Sequence, residues 1–144
     1  MGKGVARDRK MARRWYEKAA RNGNIDAIFI LAVVNNKGQG IRQNAPRALR
    51  LYRQAALRGH LQAQANLAVM LLDGDGAKKN TTEGLHWLRR AARRGDSKAQ
   101  YNLGSAYAHG EDGVRRNDRL AVKWLSKAAK QGHAKARRLL KKMQ

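Results

Sequence analysis

Residues 73–76, which read Asp-Gly-Asp-Gly, and the recurring Gly-x-Gly triplets are the segments of this 144-residue sequence whose spacing could support chemistry. Alternating carboxylates are calcium ligands, but no further oxygen ligands and no closing glutamate follow at the offset that a calcium loop requires. A Gly-x-Gly cradle for phosphate needs a preceding strand, whereas the pattern on both sides of these triplets is helical. Both kinds of segment are therefore predicted to be plain turns.

The remaining chemically capable residues form no recognisable site. His60 and His133 each follow a glycine at the predicted start of a helix, in a position that Asn24 and Asp96 fill elsewhere, which indicates a structural role. The sequence has no cysteine, no serine, histidine and aspartate in a nucleophile context, and no recurring pair of acidic residues. We therefore predict a protein that is not an enzyme, with no cofactor and no metal site.

A repeat organises the whole chain. The string Ala-Ala-x-x-Gly ends at Gly23, Gly59, Gly95 and Gly132, with spacings of 36, 36 and 37 residues. A large residue precedes each alanine pair by four positions and a small residue precedes it by seven, which is one face of a helix. After each glycine a second helical stripe follows, and a glycine-rich turn joins it to the next unit.

The pattern predicts two helices per unit, named A and B here. The A helices are predicted at 24–36, 60–72, 96–109 and 133–143, and the B helices at 8–22, 44–58, 80–94 and 117–131. One domain, 1–144, then contains full units at about 24–59, 60–95 and 96–132, with half units at 1–23 and 133–144. Asn and Asp residues before the helices are expected to cap them, and the glycines suit the left-handed conformation that ends a helix.

The third unit carries a nameable resemblance. Its pattern is Ala99-x-x-x-Leu103-Gly104-x-x-Tyr107, then Gly113-Val114-x-x-Asn117, then Ala121-x-x-Trp124-x-x-x-Ala128-Ala129-x-x-Gly132. This pattern resembles the Sel-1-like repeat, a relative of the tetratricopeptide repeat. The resemblance implies an all-α, right-handed α-α solenoid of about eight helices that binds other proteins, as bacterial adaptors of signalling, secretion or toxin neutralisation do.

In the architecture that the resemblance implies, A helices line a concave groove and B helices form the convex back. Positions two before and two after the buried leucine of each A helix, with the neighbouring asparagines, are then predicted to bind a partner. These residues are Phe29, Val33, Ala65, Asn66, Val69, Tyr101, Asn102 and Ser105. Such a groove suits an extended peptide or a partner helix, whereas the alternative is that Phe29 and Tyr101 only complete the core.

Charge supports a second hypothesis. The chain has 32 Lys and Arg against 10 Asp and Glu, a formal net charge of +22. The basic surface is predicted on the B helices and the C-terminal end, at Arg13, Arg14, Arg50, Arg53, Arg89, Arg90, Arg93, Arg94, Arg137 and Arg138. Such a surface would favour an acidic protein partner or, alternatively, RNA, DNA or anionic lipid without sequence-specific readout.

Three further expectations concern the core, the ends and the location of the chain. Trp15, Trp87 and Trp124 share one register and are predicted to be core residues. Unpaired terminal helices would leave apolar edges at Met11 and at Leu139 with Met143, which could stack end to end, and the chain begins inside a repeat, as expected of a piece of a longer array. No signal peptide or membrane-spanning segment is recognisable, so a cytoplasmic location is expected.

Overall fold

The computed structural model describes the backbone of residues 2–38 and 42–144 and the side chains of residues 8–38 and 42–144. Within these residues the protein is an all-α solenoid of eight helices without a strand, as predicted. The helices are α1 (Gly2–Arg21), α2 (Ile25–Lys37), α3 (Ala45–Leu57), α4 (Leu61–Asp73), α5 (Thr81–Arg93), α6 (Ser97–His109), α7 (Asp118–Lys130) and α8 (Ala134–Met143). The even-numbered helices are the A helices, and α1 begins well before its predicted start at residue 8.

Side-chain caps fix where the helices begin. Each A helix follows a residue whose side chain accepts a hydrogen bond from the backbone N–H three positions later; these residues are Asn24, His60, Asp96 and His133. Asparagines at positions 44, 80 and 117 cap the later B helices in the same way. A cap satisfies a donor that the first helical turn leaves unpaired, which is why these positions are Asn, Asp or His throughout.

Small residues let the helices pack closely. The alanine pairs of the two middle B helices are almost fully buried, and leucines such as Leu67, Leu88 and Leu103 fill the space between neighbouring helices. Gly104 lies so near α7 that a Cβ there would be 2.8 Å from Cγ of Leu125. The columns of small residues in the sequence therefore mark the helix–helix contacts.

Polar side chains join successive units at the end of each B helix. The guanidinium of Arg94 donates to the carbonyl oxygen of Gly59 at 2.7 Å and to the side-chain oxygen of buried Gln64 at 3.1 Å. The Gln64 amide donates in turn to the carbonyl of Ala56. The same contact recurs one unit later, where Gln131 bonds to Gly95 and Gln100. Arg94, predicted to belong to the basic surface, thus holds two units together.

The three tryptophans have different environments. Trp87 and Trp124 are 5% and 9% exposed and belong to the core, as predicted. Trp15 is 63% exposed, so the prediction of a core residue is wrong at this position. The physical reason is that no described helix precedes α1 to cover it, and Met11 on the same helix is exposed for the same reason.

Left-handed glycines follow both kinds of helix. The glycines after the B helices, at positions 23, 59, 95 and 132, have positive φ, as predicted. Gly38, Gly74 and Gly110 also have positive φ at the ends of A helices, and Gly76 and Gly113 close the second and third turns. The extra residue of the third turn is accommodated by Asp112 at φ 56°. The rest of the first predicted Gly-x-Gly triplet, residues 39 and 40, lies outside the described residues.

Neither a metal cluster nor a membrane span is found in the part of the chain that the structure describes. Over residues 8–38 and 42–144 no three His, Cys, Asp or Glu side chains converge where they could hold a metal ion. None of the eight described helices combines the length and apolar character needed to cross a bilayer.

Candidate functional site

The eight residues predicted to form the groove line two adjoining hollows along the A helices. The first, of about 440 Å³, is bordered by Phe29, Val33, Ala65, Asn66 and Val69 among others. The second, of about 310 Å³, is bordered by Tyr101, Asn102, Ser105 and again Val69. The two hollows share Val69 and Asp73 and are together called the A-helix groove below.

Tyr52 is a groove residue that the sequence analysis missed. It comes from the B helix α3 and is only 2% exposed, yet it borders the first hollow. Burial raises the pKa of Tyr52, and the nearby side chains of Asn36 and Asn66 lower it by favouring the charged form. A neutral hydroxyl among two amides gives the groove floor hydrogen-bonding groups suited to a polypeptide backbone. Tyr52 is one of the large residues that precede the alanine pairs in the repeat. That pattern predicts core positions, but it does not show that the hydroxyl end of this side chain reaches the groove.

Phe29 and Tyr101 contribute both to the groove and to the packing beneath it. Both are partly buried, and each packs against a hydrophobic cluster while bordering one of the two hollows. Ala65 is almost fully buried, so it forms the wall of the first hollow with little contact area of its own. The apolar contact surface of the groove is therefore mainly Phe29, Val33, Val69 and Tyr101.

Two histidines support these aromatic rings. His60 stacks on Phe29 with ring centroids 4.3 Å apart, and His133 stacks on Tyr101 at 4.7 Å. In both cases Nδ1 of the histidine accepts the capping hydrogen bond of the following helix, so that nitrogen is unprotonated. The cap thus fixes the imidazole, and the imidazole fixes the ring that faces the groove.

We expect His133 to destabilise the protein in acid. Burial and the positive charge of Lys135 lower the pKa of His133 below its ordinary value, against a raising effect of Asp96. A folded-state pKa below the unfolded value of about 6.5 means that stability is fully present above that value and falls as the pH falls below it. His133→Asn keeps a capping oxygen, as Asn24 does in α2, without a titrating group. Thermal unfolding at pH 8 and pH 5 should therefore show that the variant loses less stability on acidification than the wild type does. The difference between the two losses should be below about 1 kcal/mol, the contribution of a whole helix cap. Equal acid losses in the two proteins would contradict this.

The groove is acidic, which the sequence analysis also missed. Its two hollows are bordered by five carboxylates, namely Asp73, Asp75, Asp96, Glu111 and Asp112. Lys37 and Lys98 are the basic residues at its border among the described side chains. Burial raises the pKa of Asp112, nearby Lys79 lowers it, and the charges of Glu111 and Asp73 raise it further. The predicted apolar groove with a few amides is thus also a region of negative charge.

The predicted basic surface is only partly available. Arg53 makes a bidentate ion pair with Glu83, with Nη2 3.0 Å from Oε1, and Arg94 holds the contact between units described above. Arg90 lies over the ring of Trp87 at 5.7 Å. Of the ten predicted residues, six are exposed, take part in no ion pair among the described side chains and do not join successive units: Arg14, Arg50, Arg90, Arg93, Arg137 and Arg138.

A basic hollow lies at the N-terminal end of this surface. It has a volume of about 430 Å³, and the cations around it come from α1, from the segment before α3 and from α3 itself. They are Lys10, Arg13, Arg14, Arg42 and Arg47. Among the described side chains, Glu17, which pairs with Arg47 at 3.6 Å, is the one carboxylate that borders this hollow. Arg13 and Arg14 were predicted from the sequence to belong to the basic surface, but their neighbours from the other elements were not.

Comparison with known proteins places these features in a family. The family model of the Sel1 repeat matches residues 1–24, 25–60, 61–96 and 97–133. A search of curated proteins finds no significant match.

Solved structures with the same architecture come from several bacteria. A protective antigen of uropathogenic Escherichia coli with an SLR fold is 37% identical with a TM-score of 0.82, over 85% of this chain and 26% of that protein. A Sel1 repeat protein from Oxalobacter formigenes is 36% identical with a TM-score of 0.81, over 90% of this chain and 53% of that one. Cysteine rich protein B of Helicobacter pylori shares the fold at 24% identity and a TM-score of 0.69, with 94% and 97% of the two chains covered. The chain thus spans about a quarter and about half of the first two proteins.

Proposed function

This chain belongs to the Sel1 repeat family, and we propose that it is an interaction module whose A-helix groove binds an extended segment of another protein. Sel1 repeat proteins generally mediate protein–protein interaction and are typically non-catalytic scaffolds. All eight residues that were expected to contact a partner border two adjoining hollows, which combine apolar and amide groups and share Val69 and Asp73.

The chemistry of the groove suits a polypeptide backbone flanked by apolar side chains. Phe29, Val33 and Val69 offer contact area, while Tyr52 and Asn66 offer a donor and an acceptor beside it. A repeat scaffold presents such groups at a fixed spacing on rigid helices, so little ordering of the protein itself opposes binding. Extended peptides are the ligands that this combination binds best.

The groove hypothesis predicts that truncation of apolar side chains in the groove weakens peptide binding. Peptides of about 12 residues, which span roughly 40 Å when extended, would be selected from a random library displayed on phage and measured by fluorescence anisotropy. The double variant Val69→Ala, Tyr101→Ala is expected to weaken the selected peptides by roughly tenfold or more, since central apolar anchors commonly contribute over 1–2 kcal/mol.

The matched control is the double variant Leu57→Ala, Val122→Ala. Both residues are exposed apolar residues on B helices, outside the groove. Their truncation is expected to leave binding within about twofold, since such surface changes have small effects. Unfolding curves must show that both variants fold. Peptides that bind the groove variant as well as the wild type would contradict the groove hypothesis.

The basic hollow supports a second candidate function, which is polyanion binding. Its five cations surround a space large enough for a phosphate group, and the net charge of +22 would attract RNA, DNA or anionic lipid. The two functions differ in salt dependence. About five phosphate contacts would give a slope near −4.5 for log affinity against log salt, and this binding would be indifferent to the groove variant.

A further inference from the structure

The groove concentrates the scarce acidic residues of a strongly basic chain. Five of the 10 Asp and Glu residues border its two hollows, against two of the 32 Lys and Arg residues. The remaining surface is therefore even more positive than the net charge suggests. A segregation of this kind gives the groove a potential opposite in sign to that of its surroundings.

Four of these carboxylates have no ionic partner among the described side chains. The ion pairs there are Arg47–Glu17, Arg53–Glu83, His60–Asp26 and Arg116–Asp118. Asp73, Asp75, Glu111 and Asp112 take part in none of them. Asp96 differs from these four because its side chain caps α6.

The charges of Asp73 and Glu111 are unfavourably placed with respect to the helices that they end or follow. Asp73 is the last residue of α4, and Glu111 directly follows Gly110, the C-cap of α6. The partial negative charge at the C-terminal end of a helix disfavours a carboxylate in both positions. Asp112 has a left-handed backbone that asparagine adopts equally well. Burial raises the pKa of Asp112, Lys79 lowers it, and the charges of Glu111 and Asp73 raise it. A positive group brought between these side chains would remove the repulsion.

We infer that the segment bound in the A-helix groove carries lysine or arginine, whose charge lies among Asp73, Glu111 and Asp112 while apolar side chains cover Val33 and Val69. Val69 and Asp73 border both hollows, so an apolar contact and an ionic contact lie one helical turn apart on α4. The inference rests on the proposed function of the groove and specifies the chemistry of its ligand. It differs from the acidic partner expected from the net charge, which would suit the opposite surface.

The test uses the same random peptide library, selected on the full chain at about 0.15 M salt, where the Debye length of roughly 8 Å limits repulsion by the distant cations. Selected peptides are kept if the variant Val69→Ala, Tyr101→Ala binds them at least tenfold more weakly. We expect these groove-dependent peptides to be enriched in lysine and arginine over the unselected library. Replacing the key basic residue of such a peptide with glutamine should weaken binding by roughly threefold to fivefold, the effect of an ion pair with solvent-exposed carboxylates.

Two protein variants are compared. The triple variant combines Asp73→Asn, Glu111→Gln and Asp112→Asn, and the control carries Asp118→Asn alone. The triple variant should lose the preference for the basic peptide over its glutamine analogue. Asp118→Asn removes a carboxylate outside the groove and should keep that preference. Groove-dependent peptides without basic enrichment, or a preference that survives in the triple variant, would overturn this inference and leave the proposed function intact. A library that yields no groove-dependent peptide would overturn both.

Discussion

Replacing Trp87 with alanine is expected to lower the free energy of unfolding by roughly 3–5 kcal/mol, whereas the same change at Trp15 should alter it by less than about 0.5 kcal/mol. The two residues share one register of the repeat. Trp87 is buried, its indole Nε1 donates to Glu83 at 3.4 Å, and truncation leaves a cavity in the core. Trp15 is 63% exposed and its main aromatic contact is Tyr16 on the same helix.

Urea unfolding followed by circular dichroism would measure both values. Because solenoid units interact mainly with their neighbours, loss of Trp87 should also broaden the transition by weakening the coupling across α5. Trp15→Ala serves as the matched control, since it removes the same side chain without opening a cavity. Equal destabilisation by the two substitutions would contradict the burial difference and would indicate that α1 packs against further protein.

The fold could be predicted because its determinants are local and repeated. A spacing of 36 or 37 residues, a capping residue before each A helix and a glycine after each B helix are all visible within one unit. Helix boundaries follow from capping, and capping depends on residues only three positions apart. The later helices consequently begin and end within a few residues of their predicted bounds.

The exposure of Trp15 could not be predicted from its register. The repeat pattern specifies which face of a helix is meant to be covered, but it does not supply the neighbour that covers it. Trp87 and Trp124 have a preceding unit in the described chain, and Trp15 does not. A position in a pattern therefore predicts burial only where the adjoining unit is present.

The positions of the groove residues could be predicted, but the charge of the groove could not. Phe29, Val69 and Tyr101 follow from helical periodicity on single helices. Asp73 and Asp112, in contrast, come from the ends of different A helices, and only the stacking of units brings them to one hollow. A signal was present in the sequence, since the predicted A helices at 24–36 and 60–72 contain no lysine or arginine. This signal indicated that the groove lacks cations, but it did not show that carboxylates from different units lie together there.

The turn that follows α4 also depends on a contact that no single unit reveals. Gly76 has φ 81°, and a Cβ placed there would be 2.6 Å from the carbonyl oxygen of Ala45 at the start of α3. The corresponding Gly113 lies in the same way against Thr81 at the start of α5. Each of these turns thus packs on the beginning of the preceding B helix.

Gly76→Ala is therefore expected to lower the free energy of unfolding by roughly 2–4 kcal/mol. The loss combines the strain of a left-handed backbone with a steric overlap that the backbone of α3 must move to relieve. Gly59→Ala is the matched control, because Gly59 also has positive φ, 94°, but no atom lies within 4 Å of its added Cβ. That variant should lose only the strain, on the order of 1 kcal/mol. Urea unfolding of the two variants would measure the difference. If Gly59→Ala lowers the free energy of unfolding as much as Gly76→Ala does, the whole effect is due to backbone strain, and the contact with Ala45 does not contribute to stability.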